Sequence, residues 1–215
     1  EYFHFRNCHS LYYSGVVMSR WKFIPKENKI HLAVEGSVGG TSLGLHIAAD
    51  IIQDGGRVLW VCEEMPDNKR FSQLFQNLSL IDASKFHAMS FSSSIDKAVD
   101  SIISALESLP SVKLVVMDDW CSRTGKIPNS TIDEIIRLKQ KIPSETVLLL
   151  ISKASIDASG KKENQKYARA ENKMIENDFS IFILSRPKDG PIRELYLKGQ
   201  KVKLELTEEG FKEIN

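Results

Sequence analysis

Hydrophobic residues in this chain fall into short, continuously apolar runs that alternate with longer amphipathic stretches. The runs at 30–34, 57–62, 113–119 and 146–152 are rich in Val, Ile and Leu, as strands buried on both faces are. The stretches at 42–53, 67–78, 95–109 and 131–142 predict helices, and 86–91 a further strand. Strand and helix thus alternate, which predicts an α/β fold with a mainly parallel central sheet covered by helices.

The order of elements changes after residue 152. A polar stretch at 153–169 predicts a loop, and three consecutive strands follow at 179–185, 192–198 and 201–207. The last two are expected to form a hairpin through Gly199 and Gln200. The tail TEEGFKEIN predicts a short helical or extended end. Consecutive strands indicate an antiparallel C-terminal extension of the parallel sheet.

Residues 1–23 are rich in aromatic side chains and lack helical periodicity. The pattern predicts an N-terminal arm or hairpin ahead of a single domain at 24–215. One interpretation is that the arm covers the sheet of its own domain. The other is that it docks on a neighbouring subunit, because exposed aromatic residues anchor interfaces.

Composition narrows the functional classes only a little. A length of 215 residues with 42% hydrophobic residues suits one α/β domain. The net charge is +1, so any DNA binding must be local. Three widely spaced cysteines argue against a disulfide framework. With no apolar run of about 18 residues and no charged-then-apolar leader, we expect a cytoplasmic protein without a membrane segment.

The segment EGSVGGTS, residues 35–42, joins the first parallel strand to the first helix, and we call it the glycine-rich segment. Glycines let backbone N–H groups turn toward phosphate oxygens, a hydroxyl binds Mg²⁺, and the helix N-terminus faces the anion. The pattern predicts a phosphate-binding loop of the P-loop type. Its expected nucleotide contacts are Gly36, Gly39, Gly40, Thr41 and Ser42, with Thr41 also on the metal.

The P-loop pattern G-x-x-x-x-G-K-[ST] requires a lysine where this chain has Gly40. No lysine occurs between Lys29 and Lys69, and the loop is short by about two residues. A charge-assisted hydrogen bond to phosphate contributes roughly 1.5–3 kcal/mol. We therefore expect binding of ATP and Mg²⁺ to be weakened about ten- to a hundredfold.

Acidic residues follow two of the predicted parallel strands. Glu63 and Glu64 come after the strand at 57–62, and Asp118 closes an apolar strand. Ligands of α/β sheets bind at the carboxyl ends of parallel strands. In a nucleotide-hydrolysing site, Thr41 and Asp118 would hold Mg²⁺, and one of the two glutamates would polarise the attacking water.

Four segments, GGTSLGLHIA, RVLWVCEEMP, KLVVMDD and LELTEEGFKEI, resemble the RecA-like ATPase superfamily, and within it the short archaeal RadA paralogues and KaiC-like proteins. The resemblance implies a RecA fold, ATP and Mg²⁺ bound between subunits, and a role in DNA recombination or repair. It implies that Ser152 and Lys153 lie at the position that senses the γ-phosphate. It also implies a second DNA-binding loop, with Lys161, Lys162, Lys166 and Arg169 as contacts.

The missing lysine, the short loop and the absence of a clear Phe-x-x-Ala motif favour an accessory protein with lost or weak ATP hydrolysis. It would act in a homo- or hetero-oligomer with RecA-like subunits. One alternative is a KaiC-like nucleotide-binding regulator or weak ATPase that uses Glu64, Asp118 and a substitute cation, either Lys153 or one from a neighbouring subunit. Another is a protein-interaction scaffold without either ligand. The third is a MinD- or ParA-like protein, since EGSVGGTS matches that deviant P-loop without gaps, with Glu35 and Gly40 in place of both lysines.

Overall fold

A computed structural model describes residues 18–24, 26–91, 94–156 and 166–214. Twelve strands are present in these ranges: β1 Met18–Arg20, β2 Lys29–Val34, β3 Arg57–Cys62, β4 Phe86–Ser90, β5 Val112–Asp118, β6 Val147–Lys153, β7 Ser155–Ile156, β8 Lys166–Tyr167, β9 Ser180–Ser185, β10 Ile192–Leu197, β11 Gln200–Thr207 and β12 Gly210–Ile214. The helices are α1 Gly40–Gln53, α2 Asn68–Phe75, α3 Leu80–Ala83, α4 Ile95–Ser108, α5 Asn129–Lys141 and α6 Glu171–Glu176.

Ten of the strands form one sheet in the order β1-β12-β11-β10-β9-β2-β6-β5-β3-β4. The strands from β9 to β4 pair in parallel, and those from β9 to β1 pair antiparallel. The predicted fold class, a mainly parallel sheet with antiparallel C-terminal strands, is confirmed. The tail takes the extended alternative, as β12. Helix α6 and the short β7–β8 pair lie where the sequence predicted no regular element.

Apolar side chains on the two faces of the sheet form separate cores. One core gathers residues of α1 and α2 together with Trp60 and Leu149, and the other gathers residues of α4 and α5 together with Val115 and Leu150. Gly44 brings α1 close to the sheet, since a Cβ there would lie 2.9 Å from the Trp60 ring. Close packing of α1 fixes where its first residues meet the carboxyl ends of the strands.

The start of the described chain belongs to this folded sheet. Strand β1 pairs with β12, and Trp21 is buried. The His46 ring of α1 joins Trp21 to Phe211 of β12. Its Nε2 donates to the Trp21 carbonyl at 2.8 Å, and its Nδ1 accepts from the Phe211 amide at 3.2 Å. Residues 18–23 therefore pack on the domain's own core. The rest of the predicted arm, residues 1–17, lies outside the described residues.

No helix in the described part of the chain is long and apolar enough to cross a membrane.

Lys29, the first residue of β2, is a buried cation in this fold. It is only 9% exposed, and its Nζ has no hydrogen-bond partner among the described residues. Burial, followed by the nearby charge of Lys139, lowers the pKa of Lys29. The native state therefore opposes the charged form of Lys29. The resulting loss of stability is present at neutral pH and is recovered progressively as the pH rises from the lowered pKa to the ordinary pKa of lysine.

Replacing Lys29 with methionine is expected to stabilise the protein, because methionine keeps the aliphatic stem without the buried charge. We expect the free energy of unfolding at pH 7 to rise by about 1–2 kcal/mol in urea titrations. Lys113→Met, at an exposed position of β5, is the matched control and is expected to change stability little. A Lys29→Met protein less stable than the native one would contradict this loss of stability.

Candidate functional site

The glycine-rich segment runs from the end of β2 at Val34 into the first turn of α1. Gly39 precedes the helix with φ +102°, a left-handed conformation that favours glycine. Val38 is buried, and its carbonyl accepts a hydrogen bond of 2.7 Å from Arg193 Nε. This hydrogen bond ties the glycine-rich segment to β10 of the antiparallel extension.

Thr41 and Asp118, the two predicted Mg²⁺ ligands, are in direct contact. Thr41 Oγ1 donates to Asp118 Oδ2 at 2.8 Å. Asp118 is 7% exposed, and burial raises its pKa to about 6, although the Thr41 hydrogen bond and the charge of Lys153 oppose this shift. A hydroxyl beside a carboxylate is a hard oxygen pair that suits Mg²⁺. No group of three or more His, Cys, Asp or Glu that could hold a metal ion occurs among the described residues.

Position 40, where the P-loop pattern has lysine, is sterically closed. Gly40 is buried as the first residue of α1. A Cβ at this position would lie 2.6 Å and 3.0 Å from the two methyl groups of Val34. Real Cβ atoms essentially never show a contact of 2.6 Å, and a contact of 3.0 Å is tighter than most of theirs. The chain therefore has no room for any side chain at residue 40 unless Val34 or the helix moves.

Two adjoining cavities surround these residues. The smaller, about 190 Å³, is formed by the glycine-rich segment and the ends of β5 and β6. The larger is an open cleft of about 1380 Å³ beside α2, α4 and α5. Both cavities are lined by Thr41, Ser42, Asp118, Asp119 and Lys153.

The predicted site residues distribute between these cavities as follows. Gly39, Gly40 and Ser152 line the small cavity alone. The exposed pair Glu63 and Glu64 lines only the larger cleft, and Gly36 is exposed outside both linings. The structure thus brings most of the predicted nucleotide contacts together and leaves the two glutamates on the open side of the site.

Ser152 is in hydrogen-bond contact with the buried side chain of His31, a residue that the sequence analysis missed. Its Oγ lies 2.8 Å from His31 Nε2, and Trp120 Nε1 donates to the same nitrogen at 3.4 Å. Complete burial lowers the pKa of His31 to about 3, so the ring is neutral at pH 7. The available sequence signal was a single histidine within the apolar run of β2.

Arg70 of α2 is a second residue that the sequence analysis missed. Its Nε donates to Ser42 Oγ at 3.0 Å, and Nη1 donates to the carbonyls of Thr207 and Glu208 at 2.9 and 3.1 Å. The guanidinium thereby joins α2 to the start of α1 and to the β11–β12 turn. Partners so distant in sequence leave no local pattern.

The basic residues predicted to contact DNA differ in their surroundings. Lys161 and Lys162 lie outside the described residues. Lys166 forms an ion pair of 2.8 Å with Glu35 of the glycine-rich segment, and the Arg186 amide donates to the same carboxylate oxygen at 2.8 Å. Arg169 is 7% exposed and donates to the Gly125 carbonyl. This carbonyl partner and the low exposure leave little of the Arg169 side chain free for a DNA phosphate, and its role as a contact stays a prediction.

Comparisons with solved structures identify the fold of the chain. No protein-family model matches the chain, and no curated protein matches it. Among solved structures, the RadB recombinase is similar with a TM-score of 0.66 at 17% identity, over 85% of this chain and 88% of that one. The ATPase domain of the protein named G40P has a TM-score of 0.60 at 13% identity, over 86% and 84%.

A DnaB-like replicative helicase, solved in a study of its interactions with primase, has a TM-score of 0.64 at 15% identity. The match covers 86% of this chain but 57% of the helicase, so the chain spans less than two thirds of that protein. At these identities the similarity establishes the fold. The chain has the RecA-like α/β fold of these structures, with the glycine-rich segment between β2 and α1.

Proposed function

From the RecA-like core and its site, we propose that the chain is an accessory protein of DNA recombination or repair that binds nucleotide weakly and hydrolyses ATP slowly or not at all. The observation that carries the proposal is the steric closure of position 40 by Val34. In phosphoryl transfer a lysine of this loop neutralises charge on the β- and γ-phosphates, and its absence removes that stabilisation from the transition state.

The retained parts of the site support binding better than turnover. Thr41 and Asp118 are placed to hold Mg²⁺, and the cavity beside them adjoins the positive end of α1. Glu63 and Glu64 are exposed on an open cleft, where water is not excluded and no described contact orders a single attacking water. The names of two similar structures, a recombinase and a helicase, support a role in DNA transactions and in assembly with RecA-like subunits.

Steady-state ATP hydrolysis by the purified chain, with and without single-stranded DNA, tests the proposal. We expect turnover far below the 1–10³ s⁻¹ typical of enzymes, and no difference between the native chain and Glu64→Gln. Glu63→Gln, which changes the other predicted catalytic glutamate, is expected to have the turnover of the native chain as well. A native turnover near 1 s⁻¹ that falls a hundredfold in Glu64→Gln would overturn the proposal.

DNA binding is expected to be weak, salt-dependent and independent of sequence, with Lys161 and Lys162 as contacts. For single strands, each phosphate neutralised contributes about 0.7 to the slope of log K against log salt concentration. The double variant Lys161→Ala/Lys162→Ala is therefore expected to make this negative slope shallower by about 1.4. Fluorescence anisotropy of a labelled oligonucleotide at several salt concentrations measures it.

The control for this prediction is Lys201→Ala/Lys203→Ala, which removes two exposed lysines from β11. That variant is expected to keep the native slope. An equal loss in both double variants would show a diffuse electrostatic attraction and contradict a local contact.

The Thr41–Asp118 pair also favours a second candidate, a KaiC-like nucleotide-binding regulator. In that case nucleotide binding would change the oligomeric state of the protein, and ATP hydrolysis would not be its function. Light scattering with and without Mg²⁺-ATP distinguishes the two functions, since only the regulator changes its mass with nucleotide.

A further inference from the structure

We infer that Lys153, the last residue of β6, supplies the phosphate-binding charge that position 40 cannot carry. The inference rests on the proposed nucleotide binding and names the cation of that site. In the register of the parallel pair β2–β6, Lys153 lies opposite Val34, the residue that closes position 40. Paired residues of neighbouring strands point to the same face of a sheet, so the lysine stem runs on the α1 side. The positive charge thus reaches the phosphate site from β6 and not from position 40 of the glycine-rich segment.

In the part of the chain that the structure describes, Lys153 is the one cationic residue in the lining of the small cavity. Among the described residues, its ammonium has no hydrogen bond and no ion pair in this structure, in contrast to the other cations nearby. Lys166 is paired with Glu35, and Arg193 donates to three backbone carbonyls. A charge without a partner in the described ranges, beside a helix N-terminus and a Thr–Asp pair, is available to a ligand.

The charges around the cavity define what that ligand is. Asp118 and Asp119 line it with Lys153, and the lysine charge opposes the burial that raises the pKa of Asp118. A bare anion would meet two carboxylates, whereas a phosphate bound with Mg²⁺ presents the metal to Asp118 and its free oxygens to the lysine. The ligand class is therefore a magnesium-complexed di- or triphosphate, and Lys153 is a binding residue for its phosphates.

Isothermal calorimetry with Mg²⁺-ATP tests this role on the native chain and on Lys153→Met. Loss of one charge-assisted hydrogen bond is expected to weaken ATP binding ten- to a hundredfold. Lys153→Arg, which keeps the charge, is expected to recover most of the affinity. Mg²⁺-AMP is expected to bind the native chain and Lys153→Met alike, because it lacks the β- and γ-phosphates.

Lys113→Met is the matched control, because Lys113 is an exposed lysine that lines neither cavity. It is expected to bind ATP as the native chain does. Equal ATP affinity in the native chain and a folded Lys153→Met would overturn the role of Lys153 and leave nucleotide binding intact. A folded native chain that gives no heat with millimolar Mg²⁺-ATP would instead overturn the proposed nucleotide binding itself.

Discussion

Replacing Gly40 with lysine, the residue that the P-loop pattern requires, is expected to destabilise the fold and to leave ATP hydrolysis unrestored. Any Cβ at this position overlaps the methyl groups of Val34, the nearest at 2.6 Å. Overpacking of a buried site costs about 1–3 kcal/mol, and the long lysine stem adds to the displacement of α1. We expect Gly40→Lys to lose about 3 kcal/mol of unfolding free energy and Gly40→Ala somewhat less, both measured in urea.

Two further variants separate this steric effect from a general cost of changing the segment. Gly36→Ala is the control, since a Cβ at Gly36 has nothing within 4 Å, and its stability should stay close to native. In the double variant Val34→Ala/Gly40→Lys, the space vacated by valine should accept the new side chain. Its loss of stability should be smaller than the sum of the two single losses. A stable Gly40→Lys protein with increased ATP affinity would contradict the closure.

Replacing Asp118 with asparagine is expected to stabilise the protein at pH 8 and to have almost no effect near pH 4. Burial raises the pKa of Asp118 to about 6, so the native state binds its proton more tightly than the unfolded chain does. Stability then falls as the pH rises from about 4 to about 6, and the full penalty is present above that range. Asparagine keeps an acceptor for Thr41 without the charge. A shift of about two pKa units corresponds to about 3 kcal/mol.

Thermal unfolding of the native chain and Asp118→Asn across pH 4–8 measures this difference. For a protein of this size, about 3 kcal/mol corresponds to roughly 6–12 °C in Tm. Asp189→Asn, at a side chain that is 99% exposed, should give no pH-dependent gain. Millimolar Mg²⁺ should raise the Tm of the native chain and leave that of Asp118→Asn unchanged. A gain from asparagine that is the same at pH 4 and pH 8 would rule out the buried charge as its cause.

The parallel part of the sheet was predictable because four of its strands are buried on both faces. Continuous apolar runs marked β2, β3, β5 and β6, and their carboxyl ends placed Thr41 near Asp118 without any knowledge of packing. Helix α6 was missed because it is only six residues long and follows a polar stretch. Local periodicity needs more turns than that to be visible.

The chemistry of the site was less predictable, because it depends on contacts between residues far apart in sequence. A missing lysine was visible at Gly40, but the closure by Val34 is a packing contact. Arg169 read as a DNA contact because a charged residue in a basic stretch is normally solvated, yet it bonds a carbonyl 44 residues away. The sequence also named Lys153 as a substitute cation, but only the structure shows that Lys166 pairs with Glu35 and that Arg193 donates to backbone carbonyls.

The most direct test of binding without turnover is to mix the chain in excess with trace radiolabelled Mg²⁺-ATP. Filter retention and chromatography of the same samples then give the fraction bound and the fraction converted to ADP. We predict that labelled nucleotide is retained and is still ATP after several minutes, many times the turnover time of an enzyme working at 1 s⁻¹. Conversion of the retained label to ADP within seconds would contradict the proposed loss of hydrolysis, and a filter that retains no label would contradict nucleotide binding.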